Sequence, residues 1–112
     1  MSAAYDRERL VELFGDDPAT LAELERDFLD TAQEAWREIA ATDDLATIAR
    51  AAHRLKGASA MIGATTLHRI AEVIEHTAKN GDLTGVRRMQ APLRLDVLRV
   101  ARQAGLDEPK PR

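Results

Sequence analysis

Apolar residues recur at intervals of three and four along nearly the whole chain, the spacing that gathers them on one stripe of an α-helix. The first stripe is short, Leu10, Leu13 and Phe14, in a helix predicted around Asp6–Phe14 and stopped by Gly15. Asp17-Pro18 then supply a capping side chain and a proline at the first helical position. The helix they open is predicted to reach Ala41, with Leu21, Leu24, Phe28, Ala32, Ala35 and Ile39 on its stripe and Leu29 and Trp36 widening one edge. Asp43 or Asp44 caps a third helix that buries Leu45, Ile48, Ala52, Leu55, Ser59 and Ile62 before Gly63 ends it. Thr65 or Thr66 opens a fourth, with Leu67, Ile70, Ala71, Ile74 and Ala78 on one face, closed by Asn80-Gly81. A last stripe, Leu83, Val86, Leu93, Val97, Val100, Ala101 and Ala104, starts near Asp82 and stops at Gly105. Pro92 lies inside it, removes a backbone donor and crowds the carbonyl of Arg88, so a kink or break is predicted there.

Strand-like alternation is absent, and the fold class this implies is all-α: an antiparallel four-helix bundle, up-down-up-down, with a short additional N-terminal helix as a lid. A single domain is expected over residues 1–105, with 106–112 a flexible, proline-containing tail. At 112 residues, 45% apolar and 31% charged, the chain has room for one core. With no cysteine, disulfides, thiol nucleophiles and cysteine metal sites are excluded. No apolar run approaches the roughly 20 residues that span a bilayer, and the N-terminus lacks the plan of a signal peptide. No membrane association is therefore expected, and the expected compartment is cytoplasmic. The net charge of −3 is unevenly spread: residues 1–44 carry 13 acids and 4 bases, residues 45–112 carry 6 acids and 12 bases. That favours the two halves packing together. The bases are scattered without interleaved aromatics, so nucleic acid is not an expected partner.

His53 stands out by its face. With about 100° per residue, Ile48, Ala52, Leu55 and Ile62 centre about 300° from Leu45, whereas His53 falls at about 80°, on the solvent side. Ala46, Ala49, Gly57 and Ala60 share that side, with Arg50, Arg54 and Lys56 around the margin and no acid among the small residues. A lone surface histidine is ordinarily just a solvated side chain. Here, small residues and a helix-weakening glycine, which costs about 1 kcal/mol relative to alanine, clear the ground around the ring. A protruding imidazole on a smooth basic patch suits insertion into another protein's pocket. Neutral imidazole is nucleophilic near neutral pH because its ordinary pKa is about 6.5. Lys56, one turn on, can offset the charge of an attached phosphoryl group.

With His53, Leu55, Lys56, Gly57, Ser59, Gly63 and Ala64 at their spacing, the sequence resembles the histidine-containing phosphotransfer (HPt) family of two-component phosphorelays. The likeness extends to Phe14-Gly15-Asp16-Asp17-Pro18, Phe28, Leu67, Glu75 and Gly81-Asp82 and covers most of residues 8–104. It implies that His53 is the phosphoacceptor, Lys56 the side chain near the phosphoryl oxygens and Gly57 the gap that admits the partner. It also implies a carrier, not an enzyme, exchanging phosphoryl groups with the aspartate of a response-regulator receiver domain and served by a sensor or hybrid histidine kinase. No cofactor is expected, any Mg²⁺ belonging to the receiver. The docking face expected on a monomer comprises Ala49, Arg50, Arg54, Ala60 and Met61. Ser59 faces inward and is expected to serve structure, through a hydrogen bond between helices. The role of Glu75, in a region where relatives place a polar residue near the histidine, is left open because an acid beside phosphate is unfavourable. Ala58 and Met61 depart from the common Ser or Gly and Asn of the family.

Three other readings compete. His68, Glu72 and His76 recur at intervals of four and could suit a metal, but solvated side chains are expected and no metal site is predicted. A histidine-kinase dimerisation domain usually has an acid directly after its histidine, where this chain has Arg54, and no glycine-rich nucleotide site follows. A noncatalytic helical docking module that binds a receiver or kinase domain is the alternative function; the intact His53, Lys56 and Gly57 argue against it.

Overall fold

A computed structural model describes residues 3–106, and its regular structure is entirely helical. Six segments follow one another among the described residues: α1 (Arg7–Phe14), α2 (Pro18–Ala41), α3 (Leu45–Met61), α4 (Thr65–Lys79), α5 (Leu83–Arg88) and α6 (Gln90–Ala104). Aspartate opens four of them. Asp6, Asp17, Asp44 and Asp82 each accept the backbone N–H three residues on, satisfying a donor that the helix itself cannot. Asp44, rather than Asp43, is thus the cap of α3. Bonds from Thr20 and Thr47 hold the Asp17 and Asp44 carboxyls below their ordinary pKa. Neither Thr65 nor Thr66 caps α4, whose N-cap is Ala64.

The stripes become the core. Leu21, Phe28, Ala32, Ala35 and Ile39 of α2 are buried with Ile48, Ala52 and Leu55 of α3, Leu67, Ala71, Ile74 and Ala78 of α4, and Leu93, Val97 and Val100 of α6. The neighbour order closes on itself, α2 packing on α3, α3 most extensively on α4, α4 on α5 and α6, and α6 back on α2. On α1 only Leu10 is buried; Leu13 and Phe14, expected on the same stripe, stay exposed at the end of this eight-residue helix. Ala4 and Tyr5 are buried instead, and Tyr5 donates to buried Glu25; burial, then that bond, pushes the Tyr5 hydroxyl above its ordinary pKa.

Two junctions fix how the helices meet. Gly63, predicted as a terminator, has φ +68°, and a Cβ there would lie 2.8 Å from the Asp6 Cβ, so a side chain is doubly disfavoured. The N-terminal segment crosses at this point: Asp6 N–H donates to Ile62 O at 2.9 Å and Arg9 Nε to Met61 O at 3.1 Å, tying α1 to the end of α3. The last stripe is broken at Met89, one residue past the carbonyl that Pro92 would crowd, and Pro92 sits in the first turn of α6, where no donor is needed. No described helix is long and apolar enough to cross a membrane. Of the tail expected at 106–112, Leu106 is tied by its N–H to Ala101 O at 2.8 Å, and 107–112 lie outside the described residues.

Candidate functional site

Helix α3 holds His53 on its outer face, with 68% of the side chain exposed. The ring is not free. Its Nδ1 is 3.0 Å from Glu75 Oε2, and Glu75, on α4, is itself buried. Lys56 Nζ lies 2.7 Å from Glu75 Oε1, and Lys79 Nζ lies 3.0 Å from Oε2. One buried carboxylate thus gathers an imidazole and two ammonium groups from two helices. The wheel of α3 alone placed no acid in this patch; an acid arrives from the neighbouring helix, which a single-helix projection does not see.

The charges explain why the carboxylate tolerates burial. The Lys56 bond, above all, outweighs desolvation, and with help from Lys79 and His53 it holds the Glu75 pKa at about 2. The same bond pushes the Lys56 ammonium above its ordinary value. An ionised carboxylate only accepts, so the His53 Nδ1 must carry the hydrogen it shares with Glu75. In the neutral ring that leaves Nε2 unprotonated, at the far end from Glu75.

Around the ring the sequence expectations divide. Gly57 is exposed and an added Cβ would meet nothing within 4 Å, so the gap faces open space. Arg50, Ala60 and Met61 are exposed as expected. Ala49 is not: at 8% exposure it is buried, and it forms only the floor of an open basin of about 450 Å³ beside the ring. A small side chain at the margin of the wheel is covered by the packing of α4, which shifts the boundary of the free face. Arg54 is exposed but held by Glu38 of α2 at 2.5 Å. Ser59 faces inward and is fully buried, yet its Oγ has no hydrogen-bond partner among the described residues. The expected bond between helices is not made there; the backbone makes the polar contact, Ser59 O accepting the Ala64 N–H at 2.9 Å.

Of the metal-like trio, Glu72 and His76 are exposed as expected and His68 is not. His68 is half-buried, with Nδ1 3.0 Å from Lys56 O, and so pins the backbone of α3 beside the site; His76 Nε2 faces the Asn80 amide at 3.1 Å. No group of three or more metal-ligating side chains comes together among the described residues. Lys79 is the site residue that sequence reasoning missed. Its only signal was a position four after Glu75, an i,i+4 acid–base pair of the most ordinary kind.

Fold and site together define an all-helical protein that presents a solvent-facing histidine, oriented by a carboxylate and flanked by lysines. A family model described as "Hpt domain" matches residues 9–103 of the 112, and the chain belongs to that family of histidine phosphotransfer domains. The role this family membership implies is histidine phosphotransfer in two-component signalling. No curated relative and no solved structure matches the chain.

Proposed function

We propose that His53 Nε2 accepts a phosphoryl group from the aspartyl phosphate of a receiver domain, or from a kinase, and returns it to a receiver aspartate. The observation that carries this reading is the Nδ1–Glu75 contact on an otherwise exposed ring. Attack by the neutral ring forms an N–P bond as the P–O bond of the acyl phosphate breaks, and the aspartate leaves as a carboxylate. The ring, still protonated at Nδ1, becomes cationic, and Glu75 faces the nitrogen that carries this charge. An acid near phosphate would be unfavourable; an acid on the opposite ring nitrogen stabilises the product.

Gly57 admits the partner, and Lys56 keeps Glu75 in place while adding positive charge. Arg50, Arg54, Ala60 and Met61 form the docking face, extended by the apolar depression between Phe14, Ala58, Met61 and Ile62. Glu75 is already held by two ammonium groups and offers no acidic cage, so a divalent cation is assigned to the receiver. Since α3 and α4 of one chain supply the whole cluster, the carrier acts as a monomer, in the cytoplasm where a sensor or hybrid kinase draws on ATP. We also propose the up-down-up-down order for α2, α3, α4 and α5–α6, with α1 as an appended lid; the three-residue connection between α3 and α4 supports antiparallel neighbours. Incubation with a labelled phospho-receiver should give acid-labile label on the wild type and none on His53→Gln. Equal label on both would reject the assignment.

A further inference from the structure

Phosphorylation at Nε2 would bring close to two negative charges to the ring. Two lysines are at hand, and they are not equivalent. Lys56 bonds Glu75 Oε1 and its side chain is 26% exposed, whereas Lys79 bonds Oε2, the oxygen that also faces His53 Nδ1, and is 64% exposed. Lys79 lines the open basin beside the ring, together with His53, Arg50, Arg54 and Ala49, and also the adjoining hollow that it shares with Lys56, Glu72, Glu75 and His76; Lys56 lines only that hollow and not the basin that His53 borders. Among the other cations at the basin, Arg54 is bound to Glu38 at 2.5 Å and Arg50 to the Thr47 hydroxyl at 3.3 Å. The Lys79 ammonium thus lies no more than two hydrogen-bond lengths from His53 Nδ1, on a flexible and solvated stem, in the space that the ring borders.

Resting on the reading of His53 as acceptor, we propose that Lys79 is a phosphoryl-binding residue: on phosphorylation its ammonium leaves Glu75 Oε2 for the phosphoryl oxygens in the basin, while Lys56 stays on Oε1. The lysine end of this pair is solvated and the buried carboxylate keeps Lys56 on its other oxygen, so Lys79 can exchange Oε2 for a dianionic group with three acceptor oxygens without leaving Glu75 unpaired. The division of labour also keeps Glu75 on Nδ1. Lys56, the shorter and more shielded contact, is the one that remains. The free protein stores its second cation on the carboxylate, where it offsets burial, and releases it when the anion arrives.

The test uses the full chain and potassium phosphoramidate, so it needs no cognate partner. Nε2 attacks phosphorus, the N–P bond to His53 forms, the P–N bond of the donor breaks and ammonia leaves, with the proton retained on Nδ1. Phosphorus NMR should show on the wild type a phosphohistidine signal that His53→Gln lacks. In Lys79→Met and Lys79→Gln the pH midpoint of that signal should rise and its half-life fall roughly threefold, the scale of one lost ion pair at an exposed site. Lys79→Arg should restore both, and the His53 Nδ1 nitrogen resonance of the unphosphorylated variants should stay at its wild-type position. Unchanged midpoint and half-life in Lys79→Met, with the phosphohistidine formed, would overturn the role of Lys79 and leave His53 standing. A moved Nδ1 resonance in the Lys79 variants would assign Lys79 to holding Glu75 and equally overturn it. No His53-dependent signal in the wild type would instead sink the acceptor reading.

Discussion

Glu75 decides what kind of histidine His53 is. Without it the ring would be a solvated side chain free to carry its proton on either nitrogen; with it, Nδ1 is the donor and Nε2 the open end. This arrangement leaves a trace in acid. The folded Glu75 titrates at about 2 against an ordinary 4.5, so the unfolded chain binds that proton more tightly and acid favours unfolding. The stability it contributes is complete above pH 4.5 and is lost as pH falls through 2. Melting temperatures of the wild type and Glu75→Gln, followed over that window, should therefore converge, the wild type falling more steeply; parallel curves would mean that the lysines do not hold the carboxylate. In Glu75→Gln, transfer from a phospho-receiver should also slow, because an amide cannot offset the cationic ring. His53, Lys56 and Gly57 were legible in the sequence because their spacing on one helix is itself the signal. The resemblance brought Glu75 to the neighbourhood of the histidine with its role open, and Lys79 was not singled out at all, since what both do depends on how α4 is rotated against α3, which no single-helix pattern encodes.

Helix α3 is weaker than its own packing requires. Gly57 lies within its regular hydrogen-bonded run, at no positive φ, and an added methyl would touch nothing. Gly57→Ala should accordingly stabilise the protein by about 0.5–1 kcal/mol, a rise of a few degrees in melting temperature. The same substitution should slow receiver transfer if the space is the partner's, and Gly57→Gln should slow it further. A more stable protein with undiminished transfer in both variants would show the glycine to be incidental. The other helices carry less hidden information. Their starts were readable because Asp17, Asp44 and Asp82 announce caps by chemistry alone. The break before α6 was readable as a break, since proline acts on the turn before it, yet its exact residue, Met89, depends on where α5 stops packing against α4. Position along a short helix was the weakest signal: Leu13 and Phe14 share a periodic stripe with Leu10 but stay exposed, Phe14 at the rim of the depression it shares with Ala58, Met61 and Ile62.

At the scale of the molecule, the acidic N-terminal part and the basic remainder meet through a few specific contacts rather than a diffuse attraction. Arg87 of α5 is the clearest. Its Nη1 donates to Ile39 O at 2.8 Å, while Nη2 donates to Thr42 O at 2.6 Å and to Asp43 Oδ1 at 2.5 Å. The guanidinium thereby closes the carbonyl end of α2 and fixes the turn into α3, the helix that carries the histidine. Asp43, which sequence reasoning weighed only as a cap for α3, is occupied here instead. Several donors aimed at separate acceptors need the planar fork of arginine, so lysine should replace it poorly. Arg87→Ala should lower stability by about 1–3 kcal/mol, measured by urea denaturation, and Arg87→Lys should recover less than half of that loss. Because none of these contacts touches His53, Glu75 or the lysines, the Arg87→Ala protein, kept well below its melting temperature, should take up phosphoryl label at the wild-type rate. A large loss of label at full folding would mean instead that the turn at residues 42–44 sets the pose of α3 against α4, and that the imidazole–carboxylate contact is held from the end of the bundle as well as from within the site.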